Sequence, residues 1–280
     1  MDRRACLRGS LACTAGSAWA GFCAGFWPGA ALAADPVDPF EGDPFKSFQW
    51  PELRKEFLGA AAKTRFDPRV RVLGPAFAED PMNVPITVSA DLPGVQRLIV
   101  LVDRNPIRKV LELQPLAALP TLSFRFKLEQ ASPVRALALT AEGVWHVGGT
   151  LVDSAGGGCT VAGGARADAG WTQTLGQVSG RIYGASLAGN ASDSAARLRL
   201  RIMHPMDTGL VSGIPAFFVS KLAVRDGADR ELLRIQTFEP VSENPVFSFE
   251  FATAPAGPLR IVGVDNNGNR IDSRIDGPPP

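Results

Sequence analysis

Cysteine is scarce in this chain, and its placement decides more than its number. Of the four, Cys6, Cys13 and Cys23 lie near the N-terminus, which leaves Cys159 as the single thiol of everything that follows. Once the N-terminal segment is removed, no internal disulfide can form. Histidine is scarcer still, with His146 and His204 alone. A blue-copper centre needs a histidine shortly after its cysteine, and the first one after Cys159 is His204, 45 residues on. No lysine follows Gly156-Gly157-Gly158, which excludes a phosphate-binding loop, and Ser154 lacks the flanks of a serine-hydrolase elbow. Asp265-Asn266-Asn267-Gly268-Asn269 has neither the twelfth-position glutamate nor the flanking helices of a calcium loop, so it reads as a turn. No two carboxylates are spaced as a catalytic pair.

The N-terminus carries an address. Met1 to Arg8 is basic, an apolar stretch of small residues follows to about Ala30, and Ala31-Leu32-Ala33 has the small-x-small pattern of a cleavage site. Residues 1–33 therefore read as a signal peptide, with Ala34 the first mature residue and the periplasm the expected location. Arg3-Arg4 followed by Leu7 resembles a twin-arginine export signal. Glycines, a proline and tryptophans interrupt the apolar stretch, which is short for a bilayer span, so no membrane anchor is expected after cleavage. Cleavage takes three of the 29 basic residues and one of the 28 acidic ones, leaving 26 against 27. Such a balance leaves no electrostatic footprint for nucleic acid.

Periodicity gives an all-β fold: two β-sandwich domains joined by a Gly/Ala-rich linker. Pro51 to Ala62 suits a short helix with Leu53, Phe57 and Leu58 on its apolar face. Strands are expected at 84–88, 96–102, 110–113, 122–128, 134–140 and 144–152, which places a first sandwich within residues 34–153. Residues 154–195 are rich in Gly, Ala, Ser and Asp and read as a flexible thiol-bearing arm and linker, docked loosely through Trp171 and Tyr183. A second sandwich, 196–277, begins at Ala196 with the alternation Arg197-Leu198-Arg199-Leu200-Arg201-Ile202. It continues through strands at 216–224, 231–238, 246–251, 259–264 and 269–275, and a tail closes the chain at 278–280. Both sandwiches contain an Asn-Pro corner, Asn105-Pro106 and Asn244-Pro245.

With these stretches in place, the chain resembles a fusion of the two subunits of the sulfur-carrier complex SoxYZ, and more closely the quinoprotein dehydrogenase-associated SoxYZ-like carriers. The SoxY-like half spans roughly residues 45 to 163, through Asn83-Val84-Pro85-Ile86-Thr87-Val88, Asn105-Pro106 and Gly157-Gly158-Cys159. The SoxZ-like half spans roughly 197 to 276, through His204-Pro205-Met206-Asp207-Thr208-Gly209, Ile214 to Val219, Ser242 to Phe249 and Val264 to Gly268. The resemblance implies immunoglobulin-like sandwiches and a cysteine that carries sulfur intermediates covalently between partner enzymes. Here that cysteine is Cys159, with Thr160 in place of the following glycine and an arm that is internal to the chain. The implied partners are periplasmic redox or sulfur-metabolising enzymes, a quinoprotein dehydrogenase or c-type cytochrome among them. No cofactor and no intrinsic enzyme activity are implied.

The residues agree with a carrier on their own terms. Glycines offer no packed niche for a core cysteine and do offer backbone freedom, so Cys159 is expected to be exposed, with Gly156, Gly157, Gly158, Gly163 and Gly164 as its swivel. Nothing adjacent in sequence lowers its pKa, which suits a modest nucleophile worked on by partners. The alternatives are an incidental loop cysteine, a structural accessory subunit, or a copper-handling module in which Met203, His204 and Met206 are ligands. No metal site is expected on the leading reading. His146, opposite Trp145 and Val147 in strand alternation, is expected on the solvent side, and His204 at a structural corner.

Overall fold

The computed structural model describes residues 38–167, 170–184 and 196–277. The expected signal peptide with its Arg3-Arg4 pair, the tail at 278–280 and parts of the expected linker lie outside the described residues. One helix, α1 (Trp50–Leu58), opens the regular structure, with Pro51 in its first turn. It stops short of the expected Ala62 because Gly59, at φ 94°, turns the chain. Three short strands follow: β1 (Lys63–Phe66), β2 (Val70–Leu73) and β3 (Phe77–Ala78). Then come β4 (Val84–Ala90), β5 (Val95–Val102), β6 (Lys109–Gln114), β7 (Thr121–Phe126), β8 (Ser132–Thr140) and β9 (Val144–Ser154). A 3-10 turn at Ala165–Ala167, the single-turn helix α2 (Trp171–Thr174) and β10 (Val178–Gly184) occupy the expected linker. The last six strands are β11 (Ala196–Ile202), β12 (Val219–Arg225), β13 (Glu231–Thr237), β14 (Val246–Phe251), β15 (Leu259–Asp265) and β16 (Arg270–Ile275).

These strands make two sheets packed face to face. The ten-stranded sheet runs β1-β9-β8-β5-β6-β13-β12-β15-β16, with β3 also on β9, and the six-stranded sheet runs β10-β11-β14-β7-β4-β2. Strict alternation explains the second: β11 buries Leu198, Leu200 and Ile202 while Arg197, Arg199 and Arg201 face water. Both sheets cross from one immunoglobulin-like sandwich to the other. In the larger, β6 pairs with β13 (Leu113 opposite Ile235), and in the smaller, β7 pairs with β14 (Ser123 opposite Ser248). One apolar core accordingly runs from Val70 to Ile275 without a break at the junction. The halves are thus joined by backbone ladders and shared core, not by the linker alone.

Two expectations need correction. The expected flexible linker contains a strand, β10, which pairs with β11 over its whole length. The second concerns His146, which is buried rather than solvent-facing. Its neighbours Trp145 and Val147 pack on the far side of the sheet, under α1 with Trp50, Leu53 and Leu137. The ten-stranded sheet is covered on both faces here, so alternation no longer separates wet from dry. His146 turns to the inner side, where Nδ1 lies 2.8 Å from Asp67 Oδ2. Arg69 closes on the same carboxylate at 2.8 Å and, with His146, holds Asp67 far below the usual carboxylate pKa.

Candidate functional site

Cys159 lies at the seam between the two halves, and its thiol is fully buried. The expected exposure is therefore overturned. The cause is in the glycines themselves. Gly156 and Gly157 take φ of 96° and 86°, a tight turn that only glycine adopts without strain. Gly158 serves close approach instead: a Cβ there would sit 2.2 Å from the Pro81 carbonyl and 2.5 Å from that of Leu128. The chain is pressed against the end of β7, and the next side chain is delivered inward. Gly163 is similarly close to a side chain, since a Cβ on it would meet Glu243 at 2.5 Å, whereas Gly164 has more room.

Polar contacts hold the segment down from both sandwiches. From the first, the Glu129 carboxylate accepts the Cys159 N–H (2.8 Å), the Thr160 N–H (3.2 Å) and the Thr160 hydroxyl (2.9 Å). From the second, the Thr208 hydroxyl donates to the Cys159 carbonyl at 2.7 Å, and the Glu243 carboxylate accepts the Ala165 N–H at 2.8 Å. Arg166 then pairs with Asp207 at 2.6 Å and stacks on Trp171 at 4.6 Å. The Asn-Pro corners support both sides. Asn105 bonds the Lys127 carbonyl and the Glu129 N–H, while Asn244 accepts from the His204 N–H.

Around the sulfur the surroundings suppress ionisation. Cys159 Sγ lies 3.6 Å from the Lys127 carbonyl oxygen. Burial, and then the Glu129 charge, push its pKa up to about 12, with Lys127 opposing. Lys127 is itself buried, its Nζ donating to the Met206 carbonyl at 2.5 Å. Desolvation lowers its pKa, and the nearby Cys159, Asp207 and Glu243 resist that shift. Seated this way, the thiol is protonated and inert at neutral pH.

Met203, His204 and Met206 are close in sequence, but His204 Nδ1 and Met206 Sδ are each engaged by a backbone N–H. His204 Nδ1 accepts the Met206 N–H at 3.1 Å, and Met206 Sδ accepts the Val219 N–H at 3.3 Å. His204 Nε2 is buried without a hydrogen bond, with Asp265 Oδ2 3.5 Å away, and its ring packs 4.3 Å from that of Phe217. Burial drives the His204 pKa down to about 4 against the pull of Asp265. Among the described residues, no group of three or more His, Cys, Asp or Glu is arranged to hold a metal ion. Lys127, Glu129 and Thr208 were not foreseen as parts of the site. Thr208 and Glu243 do fall inside the ordered polar stretches 204–209 and 242–249, which was the available signal.

The fold and the site together define an all-β protein of two fused immunoglobulin-like sandwiches with one thiol stored where they meet. Residues 54–159 match the family model of the sulfur oxidation protein SoxY, and residues 186–276 match that of the sulphur oxidation protein SoxZ. The chain thus carries a SoxY domain followed by a SoxZ domain, the arrangement of a fused SoxYZ protein, and the SoxY match ends on Cys159. Among solved structures, the sulfur carrier protein SoxY from Chlorobium limicola f thiosulfatophilum aligns at 16% identity and a TM-score of 0.34, covering 38% of this chain and 96% of that one. No curated protein matches the chain.

Proposed function

We propose that this chain is a covalent carrier of sulfur intermediates in the periplasm, with Cys159 as the attachment point and the SoxZ half as its scaffold. The observation that carries this reading is the position of Cys159: the SoxY match ends on it, and a short segment held by side-chain latches bears it. The latches are few and polar, all of them bonds that water can replace. Lifting residues 156–167 would free the thiol from Glu129 and from burial together, returning its pKa toward the ordinary range. Carriage then follows known thiol chemistry. The Cys159 thiolate joins the cargo through an S–S bond, and the two electrons released pass to a partner redox enzyme. A quinoprotein dehydrogenase or c-type cytochrome fits that requirement, and turnover belongs to the partner. The copper-handling reading through Met203, His204 and Met206 remains the alternative.

Intact mass of protein isolated from its host tests the proposal. A sulfur-containing adduct is expected on the wild type and absent from Cys159→Ser. Protein that carries no adduct during growth on reduced sulfur compounds would overturn the carrier role. Copper that is retained by Cys159→Ser and lost from His204→Ala would favour the alternative. Labelling kinetics test the latch. Folded protein should react with iodoacetamide about a thousandfold more slowly than the unfolded chain, as expected for a pKa three units higher. Glu129→Gln should react faster than the wild type.

A further inference from the structure

The outer face of the six-stranded sheet carries arginines that no carboxylate among the described residues pairs. In register across it, Arg181 stands directly opposite Arg199, and Arg199 is followed in turn by Ser248, Ser123, Thr87 and Leu73. The next row places Arg201 opposite Val246, with Arg125 and Pro85 paired further along. Arg71, opposite Ser89 at the far strand of the face, is a fifth arginine, and all five are exposed. Glu250 is the carboxylate on this face of the six strands, and Arg197 takes it at 2.5 Å. No carboxylate pairs with Arg71, Arg125, Arg181, Arg199 or Arg201 among the described residues. Like charges placed directly opposite destabilise a sheet, so this arrangement is a cost to the fold in isolation.

The face also has shape. Leu73, Pro85, Phe124, Arg125, Arg199 and Ser248 are among the residues lining a trough of about 390 Å³, together with Thr87 and Ser123, whose hydroxyls bond each other at 2.8 Å. We infer that this trough and its arginines are a docking surface for an acidic segment of a partner protein. Size separates this from a small anion. With strands about 4.8 Å apart, Arg181 and Arg125 are roughly 14 Å apart across the sheet, too far to share one oxyanion. Concavity separates it from a membrane, since a trough cannot lie flat on headgroups, and Leu73 is the one large apolar side chain exposed at its rim. Nucleic acid lacks a stacking platform here, since one exposed ring, Tyr183 with Arg181 over it at 5.4 Å, cannot stack successive bases. The surface reaches the thiol segment: Arg125 stands two residues before Lys127, whose carbonyl faces Cys159 Sγ. The inference does not depend on what Cys159 carries.

The test uses the full chain and soluble poly-L-glutamate as probe, with phosphatidylglycerol vesicles and inorganic sulfate as competing probes. Wild type should bind poly-glutamate with an affinity that falls steeply with salt. Arg199→Gln/Arg201→Gln should lose about tenfold or more while its melting temperature stays level or rises. The control Arg230→Gln, remote from the face and already paired with Asp226, should leave binding unchanged. Equal loss in the control, or none in the double variant, would overturn the assignment. So would preferential binding of the vesicles, or displacement of poly-glutamate by sulfate at equal ionic strength.

Discussion

On the outer face of the ten-stranded sheet five basic residues hold a carboxylate and three, Lys221, Arg270 and Arg274, stand without one, whereas on the corresponding face of the six-stranded sheet Arg197 is paired and five arginines stand without a carboxylate among the described residues. Arg97 and Lys109 share Glu112 at 2.7 and 2.8 Å, Arg225 and Arg234 share Glu231, and Arg260 meets Asp272 at 2.5 Å. Even the fully buried Arg135 is matched. It holds Asp43 and Asp103 at 2.7 Å each and lies against Trp50 at 4.6 Å, beneath the N-terminal segment. The two sheets share one core and one chain, so the difference is not one of composition. Most charge is closed on the first face and most is left open on the second, where we infer that a partner supplies the other sign.

The comparison can be sharpened or broken by substitution, beginning with the largest effect. Arg135→Met should cost about 3–5 kcal/mol in urea unfolding, because two buried carboxylates lose their counter-charge together. A loss below 1 kcal/mol would mean that the matched pairs contribute nothing special. Next comes His204, a buried group whose Nε2 has an acidic neighbour but no good bond. Its folded pKa of about 4 lies below the unfolded value of 6.5, so the unfolded chain binds the proton first as pH falls. Stability should drop by about 3 kcal/mol between pH 6.5 and 4 and then level. His204→Gln should flatten that part of the pH profile.

Smaller effects belong to the exposed faces. Burial alone would raise the Glu112 pKa, but Arg97 and Lys109 bring it below the ordinary value. Glu112→Gln should therefore cost about 1 kcal/mol, measured by the same unfolding curve. Arg199→Gln should cost nothing and gain a few tenths of a kcal/mol, through relief of the Arg181 opposition. If Arg199→Gln destabilises as much as Glu112→Gln, the two faces are alike and the contrast fails.

Most of the fold was legible because most strands bury one face. The alternations at 122–128, 197–202 and 246–251 became β7, β11 and β14. What escaped were the short strands β1, β2 and β3, of two to four residues, too brief for alternation to stand out even where β2 has it, and β10. β10 exposes most of its residues, and Gly180 sits where Ile275 and Leu200 leave no room for a side chain, so its sequence resembles a linker. His146 escaped for the opposite reason, both faces of its sheet being covered. At the site, Cys159 was legible as a residue but not as an environment. A glycine that permits motion and a glycine that permits contact look the same in sequence, and Gly158 is the second kind. Glu129 and Lys127 follow directly on a strand and carry no local mark of meeting residues 159 and 206.

The crossing ladders also bear on how the molecule is made. β6 and β7 emerge first from the chain, yet each waits for a neighbour more than a hundred residues downstream, β13 and β14. Until these arrive, an N-terminal fragment shows two bare strand rims, the kind of template that recruits other chains. Joining both sandwiches in one polypeptide guarantees that the missing strands come from the same molecule, and a product truncated before Val219 should precipitate rather than persist as a half-sized protein.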